Sequence, residues 1–386
     1  MKPRKKRWWL ALVIALGVGL AFAWFLWPTP AEPVYQARTV SEWARDLSSP
    51  DPGTRTNAVA ALQAMGTNGV SSLIRILGRH DPALKKPFLS LAPRLPLWVR
   101  RSFLHKFKPF DATRDRLVAV QALGLLGTNA PVGPLVNALR DPEWEVVAGA
   151  GTVLAQIGPP AVAPLIRVLN DREPTARRAA CSILGQIGPA ASNAVAALIL
   201  RLGDGDRDVP GTAALALSRI GPPAIPALVS SLTNANDRVR GLAADALGGM
   251  GRPAKDAAPA LILATKDPQR SVRQCSVTAL GRVWPFLPEA VAALAAALKD
   301  DNADLRLAAV HGLAEASRFA TSAIPELVVA LDDRSAAVRA DAAQVLGRLG
   351  PAATQAVPAL RQRSTDDDPA VRLKVERALK QIESGP

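Results

Sequence analysis

The chain has 386 residues, 49% of them apolar but only 4% aromatic, with 47 Lys and Arg against 33 Asp and Glu and a formal net charge of +14. A chain of that length exceeds what one hydrophobic core ordinarily supports, so several domains or a repeat array are expected. Two cysteines and three histidines exclude a disulfide framework and any cysteine-rich zinc site.

The basic excess is not spread evenly. Five cations precede the first apolar run, and the remaining 42 basic residues still exceed the 33 acidic ones. A surface of that sign suits an anionic partner, or serves solubility alone. The aromatics cluster as well: of the 17 Phe, Trp and Tyr residues, six fall within 1–27 and five within 81–110.

Residues 1–7, MKPRKKR, are a basic N-terminus followed by WWLALVIALGVGLAFAWFLW over 8–27, which carries no charge. Twenty helical residues span about 30 Å, the thickness of a bilayer core. Trp8 and Trp9 at one end, and Trp24 and Trp27 at the other, stand where an aromatic belt would lie. A transmembrane signal-anchor helix is therefore expected, with residues 28–35 as a linker. The competing reading is a cleaved signal peptide, kept open by the AFA at 21–23. The positive-inside rule places the N-terminus in the cytoplasm and the rest outside it, in the periplasm of a two-membrane bacterium. Ala11, Ala15, Gly19 and Ala23 share one helix face, an arrangement that suits homodimerisation through the membrane helix.

From residue 36 to 384 one phrase recurs with a period near 30–33, its copies beginning near Asp51, Asp111, Asp141, Asp171, Asp204, Asn236, Asp267, Asp300 and Asp333, with a half-unit from Asp366. Within AAVRADAAQVLGRLG the apolar positions Val338, Ala342, Val345, Leu346 and Leu349 follow helical spacing. Gly127, Gly158, Gly188, Gly221, Gly251 and Gly350 end that helix in a left-handed conformation. A shorter second helix follows, with Pro164, Pro226 and Pro325 in its first turn, and the next Asp is expected to cap the following helix. Such a hairpin buries both apolar faces only by stacking on its neighbours. Cys181 and Cys275 lie three units apart, beyond the roughly 7 Å Cα separation that a disulfide tolerates, and are expected to be free and buried.

The VR near the start, the A-x-x-L-G-x-I-G-P centre and the A-V-P-A-L of the second helix resemble HEAT repeats, in particular their short-period, lyase-type members. The resemblance implies an all-α fold: a right-handed α-solenoid, or superhelix, of about nine to ten hairpins, preceded by the transmembrane helix. It also implies that five pairs six residues apart, Asp171 and Arg177, Asp267 and Arg273, Asp300 and Arg306, Asp333 and Arg339, and Asp366 and Arg372, form a structural ladder tying successive turns together. Val147 and Pro210 occupy the Arg place in two copies, where the ladder is expected to break. Second helices in such arrays line the concave face. Arg75, Arg79, Arg140, Arg167, Arg201, Arg361 and Arg363 are therefore candidate contacts for an acidic protein partner, bound more weakly as salt rises.

Catalysis finds little to use. The His-Glu pairs of iron-dependent relatives are missing, since His80, His105 and His311 precede Asp, Lys and Gly. His80-Asp81 reads as a turn. No phosphate loop, nucleophile elbow or Cys-x-x-Cys is present, no cofactor or metal is expected, and lyase-like chemistry stands only as the alternative that the resemblance allows. The atypical unit at 81–110 carries seven Lys and Arg residues and one Asp, interleaved with five aromatics. Lys85, Lys86, Trp98, Arg100 and Arg101 are candidates for contact with a membrane surface or a partner, set against a degenerate repeat with solvated cations. Nucleic acid is disfavoured by the expected location. The expected function is a membrane-tethered, non-catalytic scaffold outside the cytoplasm, or the same binding protein released by signal cleavage.

Overall fold

The computed structural model describes residues 32–47, 49–79 and 112–383. The expected membrane helix, its orientation and small-residue stripe, the 81–110 unit, His80 and His105 lie outside these residues. The chain forms two compact units, Met1–Ala122 and Leu123–Pro386.

In the first unit a short antiparallel pair, β1 (Val34–Tyr35) and β2 (Arg38–Thr39), occupies the end of the expected linker and the start of the expected repeats. Its turn holds Gln36 and Ala37 at φ 51° and 60°, the double left-handed geometry of a tight hairpin. Helical periodicity could not reveal two paired residues. Helix α1 (Val40–Asp46) starts on a capping box between Thr39 and Glu42, and Trp43 donates its indole N–H to the Tyr35 carbonyl at 3.0 Å. Asp51 accepts from the Thr54 amide at 2.7 Å and caps α2 (Pro52–Ala64), which leads into α3 (Gly66–Leu77). Helix α4 (Ala112–Gly124) carries buried Arg116, whose guanidinium donates to the Arg79 carbonyl at 2.9 Å.

The second unit is a file of helix pairs. Its first helices are α6 (Trp144–Ile157), α8 (Pro174–Ile187), α10 (Val209–Ile220), α12 (Asp237–Met250), α14 (Arg270–Val283), α16 (Ala303–Ala316), α18 (Ala336–Leu349) and α20 (Pro369–Glu383). Its second helices are α5 (Val132–Asn137), α7 (Pro159–Val168), α9 (Val195–Arg201), α11 (Ile225–Ser231), α13 (Ala258–Ala264), α15 (Pro288–Ala297), α17 (Ile324–Ala330) and α19 (Val357–Gln362). Each first helix packs on the first helices beside it, and each second helix packs on the next first helix.

Two columns of leucine make the core. Leu154, Leu184, Leu217, Leu247, Leu280, Leu313 and Leu346 on the first helices are fully buried. So are Leu135, Leu165, Leu198, Leu228, Leu261, Leu294, Leu327 and Leu360 on the second. Each contributes about 1.5–3 kcal/mol by leaving water. Alanine fills the spaces between them, which is why so few aromatics suffice.

In five units the turn is set by a glycine after the first helix. Gly158, Gly188, Gly221, Gly251 and Gly350 all have φ between 59° and 78°, and α10 and α11 are bent by 119° across Gly221. Two expectations need correction. Pro164 lies inside α7 rather than in its first turn, because that helix begins directly after Gly158 without the intervening 3-10 turn of longer copies. The residue that begins each copy caps the following helix at Asp51 and at Asn236, but not in most later copies: there the Asp sits two residues before the cap, and Asp171, Asp267 and Asp333 accept instead from the amides of Glu173, Gln269 and Ser335 at 2.8–3.0 Å. The run Pro174–Arg201 is long and apolar enough to cross a membrane by length and composition, but it comprises α8 and α9 and loses helical geometry at Ala191.

Candidate protein-binding surfaces

The repeat Asp and Arg meet across unit boundaries. Arg177 donates to its own copy through the Asp171 carbonyl at 2.9 Å, and to the next copy through both Asp204 carboxylate oxygens at 2.7 and 2.9 Å. The same double engagement joins Arg240 to Asp267, Arg306 to Asp333 and Arg339 to Asp366, while Arg273 reaches Asp300 at 2.8 Å. The residues six apart are thus joined through a backbone carbonyl, because the first-turn guanidinium bridges its own loop and the carboxylate of the following unit. Arg372 clamps the carbonyls of Asp366 and Asp367 at the end of the file. Sequence reading missed Arg240, because the copy was counted from Asn236 rather than from Asn234, six residues before that Arg.

At the Val147 copy the Asp171 carboxylate is taken by Arg140, whose Nε donates at 2.7 Å. At the Pro210 copy the Arg and Asp places hold Pro210 and Asn234, so both charges are missing from the same junction. Arg238 reaches back there to the Arg207 carbonyl at 2.9 Å. A carboxylate without its guanidinium would be unbalanced, and the paired loss avoids that.

Burial is the largest single influence on Asp204, Asp300 and Asp333 and raises their pKa, but the hydrogen bonds and charge of Arg177, Arg273 and Arg306, joined by backbone amides of Asp206, Asn302 and Ser335, together hold these carboxyls below their ordinary value of 3.8. Hydrogen bonds from Arg240 and Arg339 lead in lowering Asp267 and Asp366. A carboxylate with a depressed folded pKa stabilises the fold above its unfolded value, and that contribution disappears as pH falls through the folded value. Circular dichroism melts between pH 7 and pH 2 should therefore hold their midpoint down to about pH 4 and fall steeply below it.

Five of the seven candidate binding arginines are engaged with carboxylates of this chain. Arg79 pairs with Glu32 at 3.0 Å, Arg201 with Asp204 at 3.2 Å and Arg361 with Glu383 at 2.9 Å. Arg140 is held by Asp171, as above, and Arg363 pairs with Asp332. Arg75 and Arg167 are exposed and form no ion pair among the described residues. Lys85, Lys86, Trp98, Arg100 and Arg101 lie outside those residues.

From α9 to α17 the second helices instead present an uncharged face. Leu200, Leu263 and Val329 occupy equivalent positions on α9, α13 and α17 and are 68%, 72% and 67% exposed. Ser230 and Ala296 hold that position on α11 and α15, and Ala196, Pro226, Pro259, Ala292 and Pro325 form an exposed row one turn earlier. The charged residues in these five helices are Arg201, Glu289 and Glu326. Sequence reading passed over this face in favour of the arginines; the signal was an apolar residue two places after each of Leu198, Leu261 and Leu327.

No described cluster of three or more His, Cys, Asp and Glu could hold a metal ion. Asp204, Asp206 and Asp208 alternate as cation ligands often do, but the first is occupied by arginine and the second folds back onto the amides of Asp208 and Val209 at 2.9 and 3.2 Å. Cys181 is buried, whereas Cys275 is only half-buried, a difference from expectation; its Sγ faces α12, where a Cβ on Gly241 would lie 3.9 Å away. Burial pushes both thiols up to about 12, and the neighbouring Asp245 adds to the effect at Cys275. Neither is a ready nucleophile.

A stacked file of two-helix units, sealed by an inter-unit Arg–Asp ladder, defines a helical repeat protein. The family model for HEAT repeats matches residues 162–248, 225–314 and 324–386, and the chain belongs to the HEAT-repeat family. No curated protein matches the chain. Among solved structures it is similar to Kap121p, at 15% identity and a TM-score of 0.56, covering 92% of this chain and 42% of that one. It is also similar to the karyopherin Kap121p bound to the extreme C-terminus of the protein phosphatase Cdc14p, at 15% identity and a TM-score of 0.55, covering 89% and 45%. An engineered protein shares 20% identity over 90% of this chain and 99% of its own, with a TM-score of 0.43. The chain spans less than half of the karyopherin chains, and these likenesses concern the fold.

Proposed function

We propose that the chain is a non-catalytic scaffold that binds a protein partner along the uncharged face of its second helices. The observation that carries this reading is the alignment of Leu200, Leu263 and Val329, each about two-thirds exposed, on a face almost free of charge. Aligned apolar positions of this kind mark interaction surfaces more often than scattered ones do. A partner segment that lays aliphatic side chains along successive second helices fits it. The karyopherin whose fold is similar was solved with a bound protein segment, which accords with a binding role for such a file.

Within this reading the scaffold is tethered by a membrane helix at 8–27 and works outside the cytoplasm, in the periplasm where two membranes exist. Support comes from the uncharged, Trp-bounded run and the cations before it. Alkaline phosphatase fused at the C-terminus should be active, and green fluorescent protein there dark; the opposite pair of results refutes this placement. An acidic partner remains the proposal for Arg75 and Arg167.

The binding reading is tested with Leu200→Glu, Leu263→Glu and Val329→Glu combined in the full chain. Since all three are exposed, the melting temperature should change little, while proteins crosslinked to the wild type in its host should be lost from the variant. Identical crosslinked sets from the two proteins would refute the second-helix surface.

A further inference from the structure

The array departs from its own repeat on the first-helix side, at two successive turns. The turns after α8, α10, α12 and α18 open with a glycine at positive φ and continue with Pro, Ala and uncharged polar residues, apart from Arg252, Lys255 and Asp256. After α14 the chain reads Trp-Pro-Phe-Leu over 284–287, with extended backbone at Trp284, and after α16 it reads Ser317-Arg318-Phe319. Phe286 meets Trp284 edge-on with ring centroids 5.3 Å apart, and meets Phe319 at 5.6 Å. The Arg252 guanidinium stands 5.3 Å from the Phe286 centroid, and that of Arg318 stands 5.3 Å from the Phe319 centroid. Arg252, Phe286, Phe319 and Arg318 thus form a row across three consecutive turns.

Arg252 and Phe286 also line a groove of about 580 Å³ between α14 and α16, together with Arg282, Leu307, Glu315 and Asp304. Its floor is bare backbone, because a Cβ on Gly281 would lie 2.8 Å from the Gly312 Cα. The other copies of the second unit carry Val153, Ile183, Ala216, Ala246, Ala279, Val345 and Ala378 where this one has Gly312.

The occupant follows from charge. Arg252, Arg282 and Arg318 form no ion pair among the described residues, whereas the arginines of the inter-unit ladder are each bound to a carboxylate. A guanidinium lying over a ring keeps its in-plane N–H donors open, and their fork matches a carboxylate. Apolar ring surface stands directly beside those donors. Asp304, in the first turn of α16, and Glu315, in its last, disfavour carboxylates within the groove, so those of a ligand belong over the row.

We propose that this row and groove form a docking site for an acidic, aromatic-containing peptide segment of a partner protein. Its carboxylates engage Arg252 and Arg318, and its apolar side chain lies over the Gly281–Gly312 floor. The site is separate from the second-helix face and stands whether or not that face binds a partner.

The test uses the full chain in neutral detergent and a short fluorescein-labelled peptide alternating Glu with Phe, beside a copy with Gln for Glu and one with Lys for Glu. By anisotropy at low salt the Glu peptide should bind at least about tenfold more tightly than the Gln copy, the scale of losing one charge-assisted contact. Arg252→Ala with Arg318→Ala should abolish that preference with an unchanged melting curve, and Arg252→Glu with Arg318→Glu should transfer it to the Lys peptide. The Leu200→Glu, Leu263→Glu and Val329→Glu protein should bind the Glu peptide as the wild type does. Equal binding of the Glu and Gln peptides, or a preference that survives both arginine variants, overturns the proposal. So does loss of binding to anionic vesicles or an oligonucleotide in those variants while peptide binding stays unchanged.

Discussion

Arg306→Ala should destabilise the repeat array by about 3–5 kcal/mol, the scale of breaking a buried ion pair from one side. The Arg306 and Asp333 side chains are only 12% and 9% exposed, and the guanidinium also satisfies the carbonyls of Asp300 and Asp301. Removing it leaves a carboxylate facing a junction with little access to water. Replacing both members, Arg306→Met with Asp333→Leu, should recover much of the loss, because no charge is then stranded. Arg178→Ala supplies the contrast: its pair with Asp208, at 3.4 Å, is more than half exposed on both sides and is worth about 1 kcal/mol or less. Calorimetry of the four proteins, with hydrogen exchange followed in α16 and α18, measures the differences. A loss at Arg306 no greater than that at Arg178 would mean that the ladder is ornamental to stability.

The junction between α10 and α12 shows the same principle without mutation. Its copy carries Pro210 and Asn234 where the ladder has Arg and Asp, and loses both charges together. A ladder of paired charges tolerates a missing rung and does not tolerate half of one. The Arg238 guanidinium donates to the Arg207 carbonyl across this junction but makes no carboxylate contact there. This is the place where opening of the file should begin, ahead of the four consecutive rungs from Arg240 to Asp366. Hydrogen exchange in α10 should accordingly outpace that in α14.

The repeat was legible because its causes are local. A leucine every 30 or 33 residues, a glycine after the long helix and a proline at the start of the short one each act within a single turn of chain. The ladder was half legible: the Asp and the Arg could be found, but the partner of Arg306 is 27 residues away, in the next copy, and spacing within one copy pointed to the wrong atom. The binding surfaces were the least legible. Arg140 and Arg201 looked like free cations in a string of letters, and only packing brings Asp171 and Asp204 to them. Conversely, Leu263 reads like any core leucine until the fold turns it outward. Exposure is a property of the assembled file, whereas periodicity belongs to the strand of text, and a helix in a two-layer stack can be apolar on the face that nothing covers.

Gly248→Ala should destabilise although alanine is the better helix former. The exchange gains about 0.5–1 kcal/mol in helix propensity. Against this, a Cβ at Gly248 would lie 2.9 Å from the Ala279 Cα and 3.0 Å from its Cβ, on the facing helix of the next unit. Neither atom can rotate away, so α12 and α14 must separate, and overpacking of this kind costs about 1–3 kcal/mol. A net loss of about 1–2 kcal/mol is expected. Gly185 and Gly347 stand in the same register, meeting the Cα atoms of Ala216 and Ala378 at 2.8 and 2.7 Å, and should behave alike. Gly211 is the control with the opposite sign. It lies in α10 with nothing within 4 Å of its added Cβ, so Gly211→Ala should stabilise by about 0.5–1 kcal/mol. Denaturant midpoints for the two variants should therefore move in opposite directions. A shift of the same sign in both would show that propensity, and not the close approach of neighbouring units, governs glycine in this file.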